Sequence, residues 1–162
     1  MTAVLTITVG EFQAFVDADY ADLVVREKWH LQRSRGLNYA VTSDARLMHR
    51  MVLGVSDPTA FVDHRDGNGL NNVLSNLRIA THTENMRNRR KSRSGAADYK
   101  GVWVERDGRI RACIRMQNRT IHLGAFGSQQ AAAIAYDDAA RKLFGEFARL
   151  NFPSHGEIGC LS

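Results

Sequence analysis

The chain has 162 residues, 44% of them hydrophobic, and 22 Lys and Arg against 17 acids, a formal charge of +5. That apolar content is enough for a folded core in one domain or two small ones, and no apolar run reads as a membrane span or signal peptide. The two cysteines, Cys113 and Cys160, have neither CxxC nor framework spacing, which excludes a structural zinc and a disulfide scaffold and points to a reducing compartment. The basic excess suits a polyanionic partner, although ordinary solubility also accounts for +5, and most of it is local, between Met86 and Lys100.

Residues 1–50 read as a small β-rich module. Leu5–Val9 alternates as a strand. Asp17 or Asp19 is placed to cap a short helix in which Tyr20, Leu23 and Val24 share a face. WHLQRS and LNYAVTS predict two strands about Arg35-Gly36, with Trp29 and Tyr39 in the packing. Leu47–Val55 reads as a strand end running into a short helix. His49, inside it, is open between a structural histidine and a phosphate or metal contact.

The next stretch, FVDHRDGNGLNNVLSNLRIATHTENMRN (61–88), concentrates side chains that bind a hard cation or a water. Ala60–Val62 is a strand that leaves Asp63 and His64 at its end. Gly67 and Gly69 supply the backbone freedom of a tight loop. Leu74, Leu77 and Ile79 anchor a return strand, Leu77–Ala80. Thr81 followed by Glu84 is a capping box, so a helix starts there. Asn85, Asn88 and Arg89 are expected on one side of it, with Asp63 and Asn85 converging across a cleft.

Arg87–Asp98 is polar, basic and without apolar periodicity, and marks a boundary and linker able to lie on phosphates. Beyond it, Gly101–Glu105, Arg109–Met116 and Thr120–Phe126 predict an antiparallel meander. Ser128 starts a helix whose apolar stripe is Ala132, Ala135, Tyr136, Ala139 and Leu143, ended by Gly145. One sheet face is buried under that helix. The other presents Arg109, Arg111 and Arg115 with Trp103 and His122, a basic face suited to a major groove.

The chemistry implied by the central stretch is phosphodiester hydrolysis. It needs an activated water and a cation that neutralises developing charge. Mg²⁺ or Mn²⁺ takes oxygen ligands and keeps several waters, so Asp63 and Asn85 are the expected protein ligands. His64, pointing away from Asp63 toward the attacking water, suits a general base. Asn76 is expected to fix the imidazole or the loop. Arg78 or Arg87 is expected to hold the phosphate.

These residues resemble the HNH nucleases of phage and intron-homing type, whose ββα-metal motif shows DH-x-D-G-N, then N-x-L-x-N-L, then an s/t-x-x-E-N element. The resemblance covers about residues 1–90 and includes LMHRMVLG as the HR element and the Trp29 region as the N-terminal β-segment. It implies Asp63 and Asn85 as metal ligands, His64 as general base and Asn76 as the central asparagine. The third signature position is an asparagine here, so histidine-bound zinc is not expected; His82 is an alternate ligand nearby.

The pieces YKGVW, GRIRACIR, IHLGAF and AAAIAYDDAARKLFGEFARLNFP resemble the DNA-binding domain of plant ethylene-response factors. Arg115 and Lys100 occupy matching basic positions, whereas Trp103, Glu105, Asp107, Cys113 and His122 depart from the plant pattern. Use on DNA therefore carries over and the target sequence does not. Pairing of this module with HNH nucleases is itself a family architecture.

The expected fold is α+β: a β-rich HNH domain over 1–90 with its ββα-metal core at 58–90, a basic linker at 91–98, a three-stranded sheet packed on one helix at 99–153, and a tail at 154–162. The expected function is a metal-dependent endonuclease on double-stranded DNA, cytoplasmic in a bacterial or phage-infected cell, its oligomeric state open with a monomer favoured. Its expected DNA contacts are Arg78, Arg87, Arg89, Arg90, Lys100, Trp103, Arg109, Arg111, Arg115 and His122. The alternative is a DNA-binding regulator that keeps the nuclease fold without its activity. Intact Asp63, His64, Asn76 and Asn85 weigh against it.

Overall fold

A computed structural model describes residues 3–34, 36–89, 91 and 96–153. Arg35, Arg90, Cys160, half of the expected linker (92–95) and the expected tail lie outside the described residues. The chain forms two compact units, Met1–Asn85 and Met86–Glu157, and the fold is α+β.

In the first unit, β1 (Val4–Val9) and β2 (Phe12–Asp17) form a hairpin with Val9 opposite Phe12. Gly10 makes the tight turn at φ +63°. Sequence reading missed β2, although FQAFVD buries Ala14 and Val16. Its role is long-range. Phe15 N–H donates to Leu70 O (2.8 Å) and Phe15 O accepts Asn72 N–H (2.7 Å), stitching β2 to the Gly/Asn loop. Asp17, expected to cap a helix, makes no cap bond there. Its Oδ2 instead accepts Leu74 N–H at 2.7 Å.

A single helical turn, α1 (Ala21–Val24), follows. The hairpin β3 (His30–Ser34) and β4 (Leu37–Val41) comes next. Helix α2 (Met48–Leu53) ends at Gly54 in the left-handed region (φ +67°). Trp29 is buried and donates Nε1–H to Val24 O at 2.8 Å. It packs with Val9, Val16, Val24, Ala40, Met48, Val52, Leu70 and Leu77 as the core of this unit. Arg50 follows His49 on this helix. Its guanidinium binds the carbonyls of Ala60 (2.7 Å) and Asp57, fixing where the next strand begins.

That strand, β5 (Phe61–His64), pairs antiparallel with β6 (Leu77–Ala80), with Asp63 opposite Arg78 and His64 opposite Leu77. Helix α3 (His82–Arg87) starts on the expected capping box: Thr81 N–H donates to Glu84 Oε2 (2.8 Å) and Glu84 N–H to Thr81 Oγ1 (3.2 Å). The helix ends at Arg87, so Asn88 and Arg89 lie beyond it rather than on its face.

The second unit is the sheet β7 (Val102–Val104), β8 (Ile110–Met116), β9 (Arg119–Phe126), in that order, with α4 (Gln129–Phe144) packed on it. Ser128 caps α4 by accepting Ala131 N–H at 3.1 Å. The buried stripe is Ala132, Ala133, Tyr136, Ala140 and Phe144. It is rotated from the expected one, and Ala135, Ala139 and Leu143 sit half-buried at its flank. Gly101 shows why the contact is so close: a Cβ there would lie 1.9 Å from the Tyr136 ring.

Candidate nuclease site and nucleic-acid face

Strand alternation puts Asp63 and His64 on opposite sides of β5. On one side, Asp63 is 5% exposed and meets its cross-strand partner. Arg78 donates Nε–H (2.8 Å) and Nη2–H (2.6 Å) to Asp63 Oδ2. Arg78, expected to hold phosphate, is therefore a buried partner of the expected metal ligand. Asn85 is half-buried in α3, its N–H bonded to Thr81 O at 3.0 Å. His82, the alternate ligand, is exposed with its ring 5.3 Å from that of Phe61.

On the other side of β5, His64 faces the interior rather than an exposed cleft. Its ring lies 5.0 Å from His49, nearly perpendicular, and 6.0 Å from Tyr39. Asn72, fully buried, gives its Nδ2 hydrogens to Leu70 O (3.1 Å) and Met48 Sδ (3.2 Å). Its Oδ1 then faces His64 Nε2 at 3.3 Å. This places the proton of the neutral ring on Nε2 and the lone pair on Nδ1. Burial holds His64 below its ordinary pKa, so the imidazole is neutral at pH 7.

His49 is buried with its ring against that of His64. It is 6% exposed, its Nδ1 has no hydrogen-bond partner among the described residues, and burial pushes its pKa down to about 3 from 6.5. Above pH 6.5 neither the folded nor the unfolded chain protonates it. Below 6.5 the unfolded chain takes a proton that the folded chain refuses until about pH 3, so stability falls as pH falls through that window. We expect His49→Gln to reduce the stability difference between pH 7.5 and 5.5 by about 1.4 kcal/mol. Urea midpoints at the two pH values measure it, and an undiminished difference would assign the acid sensitivity elsewhere.

Asn76 serves the loop. Its Nδ2 donates to Asn71 O (2.8 Å) and Asp66 Oδ1 (3.1 Å), and its Oδ1 accepts Asp66 N–H (3.1 Å). Asp66 also accepts Asn68 N–H and Asn71 Nδ2–H, both at 2.8 Å. The Asn/Asp run thus bonds much of its own backbone, and Asn72, given no separate role in the sequence, bonds the His64 ring. A buried polar asparagine gives no periodic signal that separates it from its loop neighbours.

In the second unit, Trp103 (65% exposed), Arg111, Arg115 and His122 share the sheet face opposite α4, as expected. Acids temper that face. Glu105 pairs with Arg109 (3.1 Å) and Arg111 (2.8 Å), and Asp107 with Arg109 (2.7 Å). Lys100 is not on it. Its ammonium is bonded to the carbonyls of Arg87 and Arg89, and burial lowers its pKa to about 8. Arg87 stacks its guanidinium 4.7 Å from the centre of the Phe144 ring, and Arg89 is exposed.

Residues 46–87, from the start of the HR segment to the end of α3, match the sequence profile of an HNH endonuclease family. An HNH endonuclease of Acanthamoeba polyphaga mimivirus is 34% identical over 145 residues, covering 85% of this chain and 74% of its own length. Protein 3.8 of Escherichia phage T7 is 31% identical over 90 residues, 55% of this chain and 74% of that protein. The dehydration-responsive element-binding protein 2C of Arabidopsis thaliana is 44% identical over 62 residues, 37% of this chain; the match spans only 18% of the plant protein. The viral alignment runs well past the profile segment of this chain and covers most of the viral protein, and on that extent the chain belongs to the HNH endonuclease family.

Proposed function

We propose that this chain is a metal-dependent endonuclease that hydrolyses phosphodiester bonds of double-stranded DNA, of the phage or homing type, working in the cytoplasm of a bacterial or phage-infected cell. The observation that carries the reading is the Asp63-His64 pair at the end of β5, inside the segment that matches the HNH profile. Asp63 and Asn85 are the oxygen donors that would hold Mg²⁺ or Mn²⁺. Among the described residues, no group of three or more His, Cys, Asp or Glu is gathered. One carboxylate and one amide suit a hard ion that keeps waters and phosphate as its other ligands. Such an ion supplies charge neutralisation at the phosphate and a more acidic water. The neutral His64 accepts a proton at Nδ1, Asn72 orients its ring, and Asn76 holds the loop between the strands.

The second unit binds the target through the face of Trp103, Arg111, Arg115 and His122. Replacing Arg109, Arg111 and Arg115 with alanine together is expected to weaken binding and lower the slope of log K against log salt by about 1 to 3. The lower end applies if Glu105 and Asp107 already neutralise two of the arginines. Anisotropy titrations across NaCl concentrations read this slope, and an unchanged value would remove the face from phosphate contact.

Plasmid nicking or linearisation with Mg²⁺ or Mn²⁺, and not with chelator, tests the enzyme reading. A protein that binds DNA and never breaks it is instead a regulator on a nuclease fold. The one observation on that side is the burial of Asp63 against Arg78.

A further inference from the structure

Asp63 already has a cation. Arg78 lies directly across the β5–β6 ladder, and both side chains are about 95% buried. Two guanidinium hydrogens converge on one carboxylate oxygen, at 2.8 and 2.6 Å. A surface ion pair is weak and exchanges easily with a dissolved ion. A buried, forked one does not, because either partner left alone would be an uncompensated charge in a poor solvent. The register places the arginine there by backbone pairing, so it is part of the hairpin rather than a chance contact of a long side chain.

We propose that Arg78 is the resident cation of the metal seat, so that a divalent ion gains Asp63 Oδ2 only by displacing the guanidinium. The proposal rests on the reading of Asp63 as a metal ligand. Charge explains both the competition and its outcome. A carboxylate offset by Arg78 offers a metal little net attraction, whereas a doubly charged ion at high enough concentration wins the oxygen from a single charge. Arg78 is a positioning residue in this scheme: it sets how tightly the seat binds metal and keeps Asp63 compensated when no metal is bound. The freed guanidinium, still beside the site, has the planar fork that matches a phosphate. The phosphate-holding role expected from the sequence would then belong to the metal-loaded state.

The test is Mn²⁺ binding to the full chain without DNA, read as free Mn²⁺ by electron paramagnetic resonance. Arg78→Met is expected to bind at least about tenfold more tightly than wild type, as loss of a buried competitor implies. Arg78→Lys, a single-point donor, should fall between them. Asp63→Asn should lose the site in either background. A merely structural role for Arg78 would move affinity the other way, since a loosened hairpin binds metal less well. Equal or weaker binding by Arg78→Met, with wild-type binding still dependent on Asp63, overturns the proposal and leaves the metal-dependent reading standing. Mn²⁺ binding that ignores Asp63→Asn overturns both. If Arg78→Met does not fold, Arg78→Lys decides: affinity no higher than wild type overturns the proposal.

Discussion

His64→Ala is expected to lower the rate of DNA cleavage by about 100- to 10,000-fold, the range for loss of a positioned general base, while target affinity changes by no more than about twofold. The split follows from where the residue sits. His64 is 5% exposed and belongs to the first unit, whereas the basic sheet belongs to the second, so it adds no charge to that sheet. What it contributes is a neutral imidazole whose Nε2–H is held by Asn72. Loss of turnover without loss of binding is the signature of an interaction made only in the transition state. Because the ring is also packed against His49 and Tyr39, truncation leaves a cavity. His64→Gln fills most of that space and should be as inactive as alanine. Single-turnover cleavage and anisotropy on the same preparations measure both quantities. Near-normal cleavage by either variant, in a folded protein, would remove His64 from the chemistry.

The largest stability effect is expected at Asp137, in the second unit. This aspartate is 2% exposed on α4 and accepts bonds from Asn151 N–H (2.8 Å), Asn151 Nδ2 (3.0 Å) and Phe152 N–H (2.8 Å). Asn151 in turn grips Lys100 on both sides of its backbone, accepting N–H at 2.7 Å and donating to the carbonyl at 3.1 Å. One carboxylate thus ties the helix, the segment at 151–152 and the entry to β7 together. Asp137→Ala leaves several buried donors without acceptors and should cost about 3 kcal/mol or more. The urea midpoint of the full chain gives the size. Amide exchange at Asn151 and Phe152 gives the place, and those two amides should lose protection before the strands do. Retained protection there would mean that the Asn151–Lys100 bonds suffice.

That clamp also explains a sequence signal. AYDDAA followed by LNFP reads as a family mark, and the structure shows it as Asp137 meeting Asn151. Much else was legible for similarly local reasons. The capping box at Thr81 and Glu84, the Ser128 cap and the three-stranded meander each depend on residues a few positions apart. The stripe of α4 was misjudged by part of a turn because a helix rich in alanine has many similar faces. The surroundings of Lys100 were not legible, because the carbonyls of Arg87 and Arg89 that hold its ammonium are brought there by the fold.

The site divides along the same line. By itself the sequence determined that an Asp-His pair ends a strand, that Asn/Gly turns follow, and that a capped helix carries Asn85, because those features are set by neighbours in the chain. Only the tertiary structure decided what each side chain faces. Asp63 meets Arg78 because β5 and β6 pair in one register, and the twelve-residue connection between them is too long to fix that register from its sequence. His64 turns inward because β2, β4 and α2, all distant in sequence, close over it and bring Tyr39, His49 and Asn72 to its ring.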